Sequence, residues 1–121
     1  MARIIDLTTY TDPRGNLTVI EKVVPFEIKR IFYIYGVDSS ERGKHRHKKN
    51  IQAAVCIKGS CEILCTDGTL EEVFELNSPA KCLLLNPQDW HLMRKFSEDA
   101  ILMVLASEYF DQQDYIFEAY K

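Results

Sequence analysis

Apolar and polar residues alternate along much of the chain with a period of two, which is typical of β-strands that bury one face. Residues 30–35 are the clearest case, because they are rich in β-branched and aromatic side chains. The other segments with a strand-like pattern are residues 2–7, 17–21, 51–57, 61–65, 70–76, 81–85 and 100–106. The pattern therefore predicts about eight short strands.

Turn-forming residues separate these segments at regular intervals. Asp12 to Gly15 reads as a turn, Gly59 ends one strand, and the Asp67-Gly68 pair predicts a tight hairpin. Helical periodicity is nearly absent, although residues 108–121 could hold one short helix or a final strand. Short strands at this spacing predict an all-β fold, either an antiparallel sandwich or a barrel, and the length predicts one domain spanning residues 1–121.

The composition is that of a globular protein, since 46% of the 121 residues are hydrophobic. The formal net charge of −3 argues against general nucleic-acid binding, so an anionic ligand would need a local basic patch. No apolar run approaches the roughly 20 residues that cross a bilayer, so no membrane partner is expected. The first residues form no apolar signal region, which predicts a cytoplasmic protein.

The four cysteines are Cys56, Cys61, Cys65 and Cys82, and none of them forms a CxxC pair. All four lie in apolar or alternating segments. We therefore expect reduced thiols buried in the core or in strands rather than a zinc site, whose ligand spacing is absent.

The densest basic patch, residues 42–49, also carries His45 and His47. Residues two apart on a strand point to the same face, so both imidazoles would address one ligand. Histidine has an unperturbed pKa of roughly 6.5 and can both accept and donate a proton near neutral pH. The stretch predicts proton transfer beside a bound anion, with a solvated basic strand as the structural alternative.

The histidine pair partly matches the first motif of the cupins, in which a glutamate and a closing glycine follow His-x-His. Gln52 stands in the position of the glutamate and Gly59 in that of the glycine, while His91 occupies the third histidine position of the second motif. The resemblance implies a cupin-type double-stranded β-helix, a jelly-roll barrel. Because the acidic ligand is replaced by a neutral amide, no metal or other cofactor is expected, although three histidines could still bind Zn or Fe(II).

A narrower resemblance covers most of the chain. The segments that carry it are Asp12-x-Arg14-Gly15-x-Leu17, residues 29–35, Arg42-Gly43-x-His45-x-His47-Lys48, residues 57–59, Pro87-x2-Trp90-His91, Ala106-Ser107-x-Tyr109 and Asp114-Tyr115. Together they resemble the WxcM-like sugar-nucleotide 3,4-ketoisomerases.

This resemblance implies a metal-free cupin homodimer whose N-terminal strands are exchanged between subunits. The implied substrate is dTDP-4-keto-6-deoxy-D-glucose, and the implied reaction moves its carbonyl from C4 to C3. The product would feed an aminotransferase that makes 3-amino-3,6-dideoxy sugars.

Such a keto shift consists of two proton transfers through an enediolate, so it needs a base, an acid and a donor to the enediolate oxygen. The predicted catalytic residues are His45, His47 and Tyr35, with either histidine as the base and Tyr35 as the hydroxyl partner. Arginine binds diphosphate bidentately and keeps its charge, which suits Arg14 and Arg42. The complete predicted substrate-binding set is Arg14, Arg42, Gln52, Trp90, His91 and Tyr115.

Three alternatives remain open on the sequence alone. One is a dTDP-sugar 3,5-epimerase, whose base is a histidine paired with a carboxylate. Another is a metal-dependent cupin enzyme, and the third is a non-catalytic sugar-nucleotide-binding cupin. The product configuration at C4, galacto or gluco, is likewise open.

Overall fold

The computed structural model describes residues 1–121, and strands account for almost all of its regular structure. The strands are β1 (Arg3–Asp6), β2 (Thr8–Asp12), β3 (Gly15–Val19), β4 (Arg30–Tyr35), β5 (Arg42–His47), β6 (Gln52–Lys58), β7 (Cys61–Thr66), β8 (Glu71–Leu76), β9 (Lys81–Leu85), β10 (Trp90–Arg94), β11 (Ile101–Ala106) and β12 (Tyr115–Ile116). A single 3₁₀ turn, Gln112–Asp114, precedes the last strand.

Ten of the twelve strands form two five-stranded antiparallel sheets. The first sheet has the order β1-β9-β6-β11-β4 and the second has the order β12-β5-β10-β7-β8. The inner face of the first sheet packs on the second sheet, where side chains such as Leu83, Leu102 and Val104 meet Ile63 and Cys65. This arrangement is the predicted jelly-roll barrel, with the core between the two sheets.

The predicted strand pattern is confirmed for eight elements, and β5 is the stretch in which the histidine spacing was read on a strand. Three further strands were missed for physical reasons. Strand β2 has every side chain exposed, so it shows no apolar alternation. Strand β10 has a continuous buried run, His91 to Met93, where a half-buried strand would alternate. Strand β12 is two residues long, too short to leave a periodic signal. Residues 108–121, for which a short helix or a final strand was predicted, contain both a 3₁₀ turn and strand β12.

A bulge in β5 brings two histidines together across the second sheet. His91 of β10 pairs with His45, but the next residue, Leu92, pairs with Gly43, which leaves Lys44 as an extra residue. Gly43 has φ of 84° and Lys44 has φ of 62°, both in the left-handed region. A Cβ on Gly43 would lie 3.0 Å from the carbonyl oxygen of His91, so glycine is required at this position.

The N-terminal hairpin stands apart from both sheets. Strands β2 and β3 pair only with each other, from Thr8 opposite Val19 to Asp12 opposite Gly15. Its cross-strand pair Tyr10 and Leu17 is 64% and 60% exposed. An isolated two-stranded hairpin is marginally stable in water, so this arm needs a surface to pack against.

The outer face of the first sheet is covered at one end only. Val23, Val24 and Phe26, from the segment after β3, pack on a second apolar cluster there. The uncovered part is a wholly apolar hollow of about 530 Å³ lined by Ile31, Tyr33, Tyr35, Ile57, Ile101 and Met103. We call it the outer apolar face.

All four cysteines are free and buried, as expected from their apolar segments. The chain contains no helix with the length and apolar character required to cross a membrane.

Candidate active site

The three histidines form one cluster between strands β5 and β10. The ring centroid of His45 lies 4.9 Å from that of His47 and 4.8 Å from that of His91. His47 and His91 are 4% and 1% exposed, whereas His45 is half-buried. The prediction that His45 and His47 share one face is confirmed by their common contact with Tyr115, at 4.6 and 4.7 Å between ring centroids.

A cavity of about 340 Å³ opens beside this cluster. Its lining residues are Arg30, Phe32, Ile34, Arg42, Gly43, His45, Gln52, His91, Met93 and Tyr115. The structure thus brings together His45 and four of the predicted substrate-binding residues. Gln52 is 3% exposed and its Oε1 has no hydrogen-bond partner, so a ligand hydroxyl could donate to it.

The hydrogen bonds of the three imidazoles fix the same tautomer in each. The Nδ1 of His45 lies 3.0 Å from the carbonyl oxygen of Gly43, and that of His91 lies 3.2 Å from the carbonyl oxygen of Asp89. Because a carbonyl oxygen only accepts, each Nδ1 carries the hydrogen and each neutral Nε2 keeps a free lone pair. The Nε2 atoms of His47 and His91 are buried without a partner. The cluster therefore consists of imidazoles able to accept a proton at Nε2.

Asp114 holds His47, and sequence reasoning did not identify this role. Its Oδ2 lies 3.0 Å from the Nδ1 of His47, and its Oδ1 accepts the backbone N–H of Lys49 at 2.9 Å. Asp114 is 5% exposed and ends the 3₁₀ turn, which Asp111 caps by accepting the N–H of Gln113. The pairing joins residues 67 apart in the chain, so only the motif Asp114-Tyr115 pointed to this position.

Burial keeps the histidines neutral at rest. Desolvation lowers the pKa of His47 to about 4, with a smaller lowering from His45, while the hydrogen bond and charge of Asp114 act in the opposite direction. Desolvation also lowers the pKa of His91 to about 3 and that of His45 below its usual value. Neutral imidazoles are available as bases, and Asp114 stabilises the imidazolium that forms at His47 when it takes a proton.

No group of three His, Cys, Asp or Glu side chains is arranged to hold a metal ion. The hydrogen bonds of the histidines all involve Nδ1, with backbone carbonyl oxygens as partners of His45 and His91 and the Asp114 carboxylate as the partner of His47.

Tyr35, one of the predicted catalytic residues, lies outside the cavity. Side chains alternate along β4, so Phe32 and Ile34 face the cavity while Tyr33 and Tyr35 face the opposite side of the sheet. Tyr35 is 67% exposed and lies on the outer apolar face. Tyr35 therefore does not lie where its hydroxyl could act as the predicted partner of a sugar oxygen or of the C4 proton in this cavity. Tyr115 is the tyrosine that contacts the histidines.

Trp90 and Arg14 also lie outside this cavity. The indole N–H of Trp90 donates to the carbonyl oxygen of Phe117 at 3.4 Å, so Trp90 fastens the tail rather than lining the cavity. Arg14 sits at the tip of the β2–β3 hairpin, where its guanidinium is paired with Asp12 and its side chain is 89% exposed. Neither residue belongs to the lining of the cavity. His47 is also absent from that lining, and it reaches the cavity only through its neighbours His45 and Tyr115 in the ring cluster.

The low pKa values predict that stability falls as the pH is lowered. In the unfolded chain the histidines have a pKa of roughly 6.5. Below that pH the unfolded state therefore binds protons at His47 and His91 that the folded state does not bind, because their pKa values are lowered there. The stabilisation is fully present above pH 6.5. As the pH falls toward 4, the free energy of unfolding decreases, by about 2 kcal/mol for each of the two histidines at pH 5. Chemical denaturation at pH 7, 6 and 5 measures it, and His91→Gln should give a shallower decline. An unchanged free energy of unfolding between pH 7 and 5 would contradict this account.

Comparison with known proteins places these features in a family. The sequence profile of the family described as FdtA (WxcM-like, C-terminal) matches residues 1–121. A TDP-4-oxo-6-deoxy-alpha-D-glucose-3,4-oxoisomerase from Aneurinibacillus thermoaerophilus is 44% identical over 117 residues, covering 94% of this chain and 84% of that protein.

Two solved structures extend the likeness to the fold. A 3,4-ketoisomerase from Helicobacter canadensis is 39% identical with a TM-score of 0.92, covering 97% of this chain and 90% of that one. The 3,4-ketoisomerase QdtA from Thermoanaerobacterium thermosaccharolyticum, a histidine-to-asparagine mutant in complex with TDP-4-keto-6-deoxyglucose, is 41% identical with a TM-score of 0.92, covering 97% and 87%. The predicted cupin-type fold is confirmed, and the chain belongs to the FdtA family of WxcM-like proteins.

Proposed function

We propose that this protein is a sugar-nucleotide 3,4-ketoisomerase that converts dTDP-4-keto-6-deoxy-D-glucose into a dTDP-3-keto-6-deoxyhexose. The observation that carries the proposal is the cluster of histidines whose buried Nε2 atoms have no hydrogen-bond partner. It occurs in a chain that is 44% identical to a protein named as a 3,4-oxoisomerase of this sugar nucleotide. The product, a 3-keto sugar, is the substrate that an aminotransferase needs to make a 3-amino-3,6-dideoxy sugar.

His47 is the proposed base, because it alone has a carboxylate behind it. Its Nε2 takes the proton from C3, which the C4 ketone acidifies, and the electrons of the C–H bond form the enediolate. A proton is then delivered to C4 while the C3 hydroxyl loses its own, and the carbonyl is left at C3. His45 is half-buried at the cavity and 4.9 Å from His47 between ring centroids, so it serves as the proton shuttle.

Tyr115 replaces Tyr35 in the proposed catalytic set. Its ring contacts both histidines and it lines the cavity, so its side chain meets whatever sugar they address. Gln52 and His91 form the buried end of the cavity and contact the sugar hydroxyls, since each presents an unpartnered acceptor atom.

One observation favours a second function, a sugar 3,5-epimerase. The buried pair of His47 and Asp114 is the type of base that epimerisation requires. Both reactions include abstraction of the C3 proton, so the position of the product carbonyl separates them.

Incubation with dTDP-4-keto-6-deoxyglucose in D₂O, followed by NMR, tests the assignment. We expect the carbonyl to move from C4 to C3 in the wild-type protein, with His47→Asn and His45→Asn each lowering the rate by at least about 100-fold, because proton transfer by a positioned group contributes that much. Lys58→Gln, an exposed change at the end of β6, serves as the control. Deuterium at C3 and C5 with the carbonyl still at C4 would instead identify an epimerase. Binding without conversion would identify a non-catalytic protein.

Asp114→Asn tests the role of the carboxylate behind the base. Because Asp114 raises the pKa of His47, its neutralisation should lower that pKa further and move the acidic limb of the rate profile to lower pH, with kcat reduced roughly 10²- to 10⁴-fold. The profile of kcat against pH measures the shift, and a thermal melt confirms that the variant is folded. A lower kcat with an unshifted acidic limb would show a purely structural role.

We propose that two copies of the chain associate through the outer apolar face and exchange their N-terminal hairpins. Three features of this chain support the proposal. Ile31, Tyr33 and Tyr35 are 59%, 63% and 67% exposed in a single subunit. Together they leave a large apolar patch in contact with water. The hairpin forms no strand pairing with either sheet of its own chain. β4 is also an edge strand, and edges of this kind are usually paired or covered.

Exchange of the hairpin would give Arg14 a role that it lacks within its own chain. Its tip position and 89% exposed side chain leave it free to reach the diphosphate of a ligand bound to the other subunit. Its pairing with Asp12 is an exposed ion pair of small energy, so an incoming phosphate can compete for the guanidinium.

Light scattering after size exclusion tests the association. The wild type should have the mass of a dimer, and Tyr33→Glu should be a monomer, because it places a charge in the middle of the outer apolar face. Leu70→Glu is the matched control, since Leu70 is 59% exposed in the turn between β7 and β8, away from that face. A monomeric wild type, or a Tyr33→Glu variant that still forms the dimer, would contradict the proposal.

We also propose a cytoplasmic location. Its support is the set of four free cysteines, which a reducing compartment maintains.

A further inference from the structure

The C-terminal tail, residues 117–121, has no regular structure, although it follows directly on a strand of the active site. Strand β12 pairs with β5 at two positions only, Tyr115 opposite His47 and Ile116 opposite Arg46. The turn before β12 is held by a buried carboxylate, so the side after β12 is the one exposed to fraying. A terminus that follows so short a strand stays ordered only where it is tied down.

Tyr120 ties the tail down at three points. Its hydroxyl donates to the carbonyl oxygen of Gln88 at 2.8 Å. The guanidinium carbon of Arg46 lies 4.3 Å from the centroid of its ring, which is a cation–π contact. The ring also packs on Gly68, where a Cβ would lie 2.9 Å from Cδ1 of Tyr120. Tyr120 thus connects the tail to β5 and to the turns that precede β8 and β10.

Arg46 has little other use for its charge. Side chains alternate along β5, so Arg46 points away from His45 and His47 and does not face a ligand in the cavity. Its Nε is buried without a hydrogen-bond partner, and none of the ion pairs of the chain includes it. A half-buried guanidinium is costly unless another group stabilises it, and the face of Tyr120 does so here.

The turn that accepts the tyrosine hydroxyl also positions two histidines. Gln88 lies between two residues whose carbonyl oxygens hold the site. That of Pro87 accepts the backbone N–H of His47 at 2.8 Å, and that of Asp89 accepts the Nδ1 hydrogen of His91 at 3.2 Å. The tail and the two histidines are therefore linked through three consecutive carbonyl groups.

The rings that the tail carries cover the histidines. Tyr115 lies 4.6 and 4.7 Å from His45 and His47 between ring centroids. Phe117 stacks on Tyr115 at 5.9 Å and lies 6.1 Å from His45. These rings keep water from one side of the cluster, and desolvation is the largest cause of the lowered pKa values of both histidines.

We propose that Tyr120, clasped by Arg46, is a positioning residue of the active site. It lies outside the cavity and acts through the tail, which it holds so that Tyr115 stays in contact with His45 and His47. The inference rests on the proposed function, because the role is defined by the rate of that reaction.

The fluorescence of Trp90, the only tryptophan of the chain, tests whether Tyr120 holds the tail. Trp90 donates its indole N–H to the carbonyl oxygen of Phe117, so its environment changes when the tail detaches. In Tyr120→Leu the emission of Trp90 should shift to longer wavelength as water reaches the indole. Tyr120→Phe keeps the ring on Arg46 and should shift it less. An unshifted emission in Tyr120→Leu would overturn the anchoring role.

Turnover of dTDP-4-keto-6-deoxyglucose tests whether the anchor matters for the reaction. Tyr120→Leu should lower kcat about 10- to 100-fold with KM within about threefold, since misplacing a group of the site by about 1 Å can cost that much. Arg46→Met should lower kcat in the same direction. The double variant should be no slower than Tyr120→Leu, because both changes remove one contact. Glu118→Gln, an exposed change in the same tail, is the matched control and should leave kcat unchanged.

The pH profile of kcat distinguishes positioning from a loss of folded protein. Without the tail rings water reaches His47, whose other neighbours Asp114, His45 and His91 remain. Its pKa should therefore rise, and the acidic limb of the profile should move to higher pH. A kcat lowered equally at every pH, or a raised KM at unchanged kcat, would overturn the positioning role.

Two further outcomes separate the inference from the proposed function. An unchanged kcat in Tyr120→Leu would overturn the role of Tyr120 while the isomerase assignment stands. A wild-type protein that does not convert the sugar would overturn the proposed function itself.

Discussion

The hydrogen bond between Asp114 and His47 is the contact on which the site depends. It joins a buried carboxylate to a buried imidazole at 3.0 Å and fastens the C-terminal tail to β5. A buried carboxylate is costly unless its oxygens are satisfied, and here the backbone N–H groups of Lys49 and Asn50 complete its hydrogen bonds. The tail is thus held in register, and Tyr115 is brought against both histidines of the strand.

The remaining parts of the site follow from how the second sheet is built. The bulge at Gly43 places His45 opposite His91, and the carbonyl oxygens of Gly43 and Asp89 take the Nδ1 hydrogens of these two rings. Burial then outweighs the carboxylate and leaves all three imidazoles with lowered pKa values. The result is a group of neutral bases beside a cavity lined by two arginines, which suits proton transfer on an anionic sugar nucleotide.

The sequence predicted the features that depend on local pattern. Strand alternation was enough to find the all-β fold, and the two-residue spacing was enough to place His45 and His47 on one face. It failed where side chains meet across long separations, as for Asp114, whose partner is 67 residues away. It also failed for Tyr35, because the pattern of β4 shows alternation without showing which face is turned to the cavity. Tyr120 was missed because its hydroxyl bonds to a residue 32 positions away.

The proposed mechanism depends on His47 resting as a neutral Nδ1–H imidazole, held by Asp114, with its Nε2 free to take a proton. Nitrogen-15 NMR of the protein labelled in its histidine side chains measures protonation and tautomer directly. We expect a neutral ring for His47 at pH 7, with the hydrogen on Nδ1 and none on Nε2. An imidazolium, or a neutral ring protonated at Nε2, would contradict it.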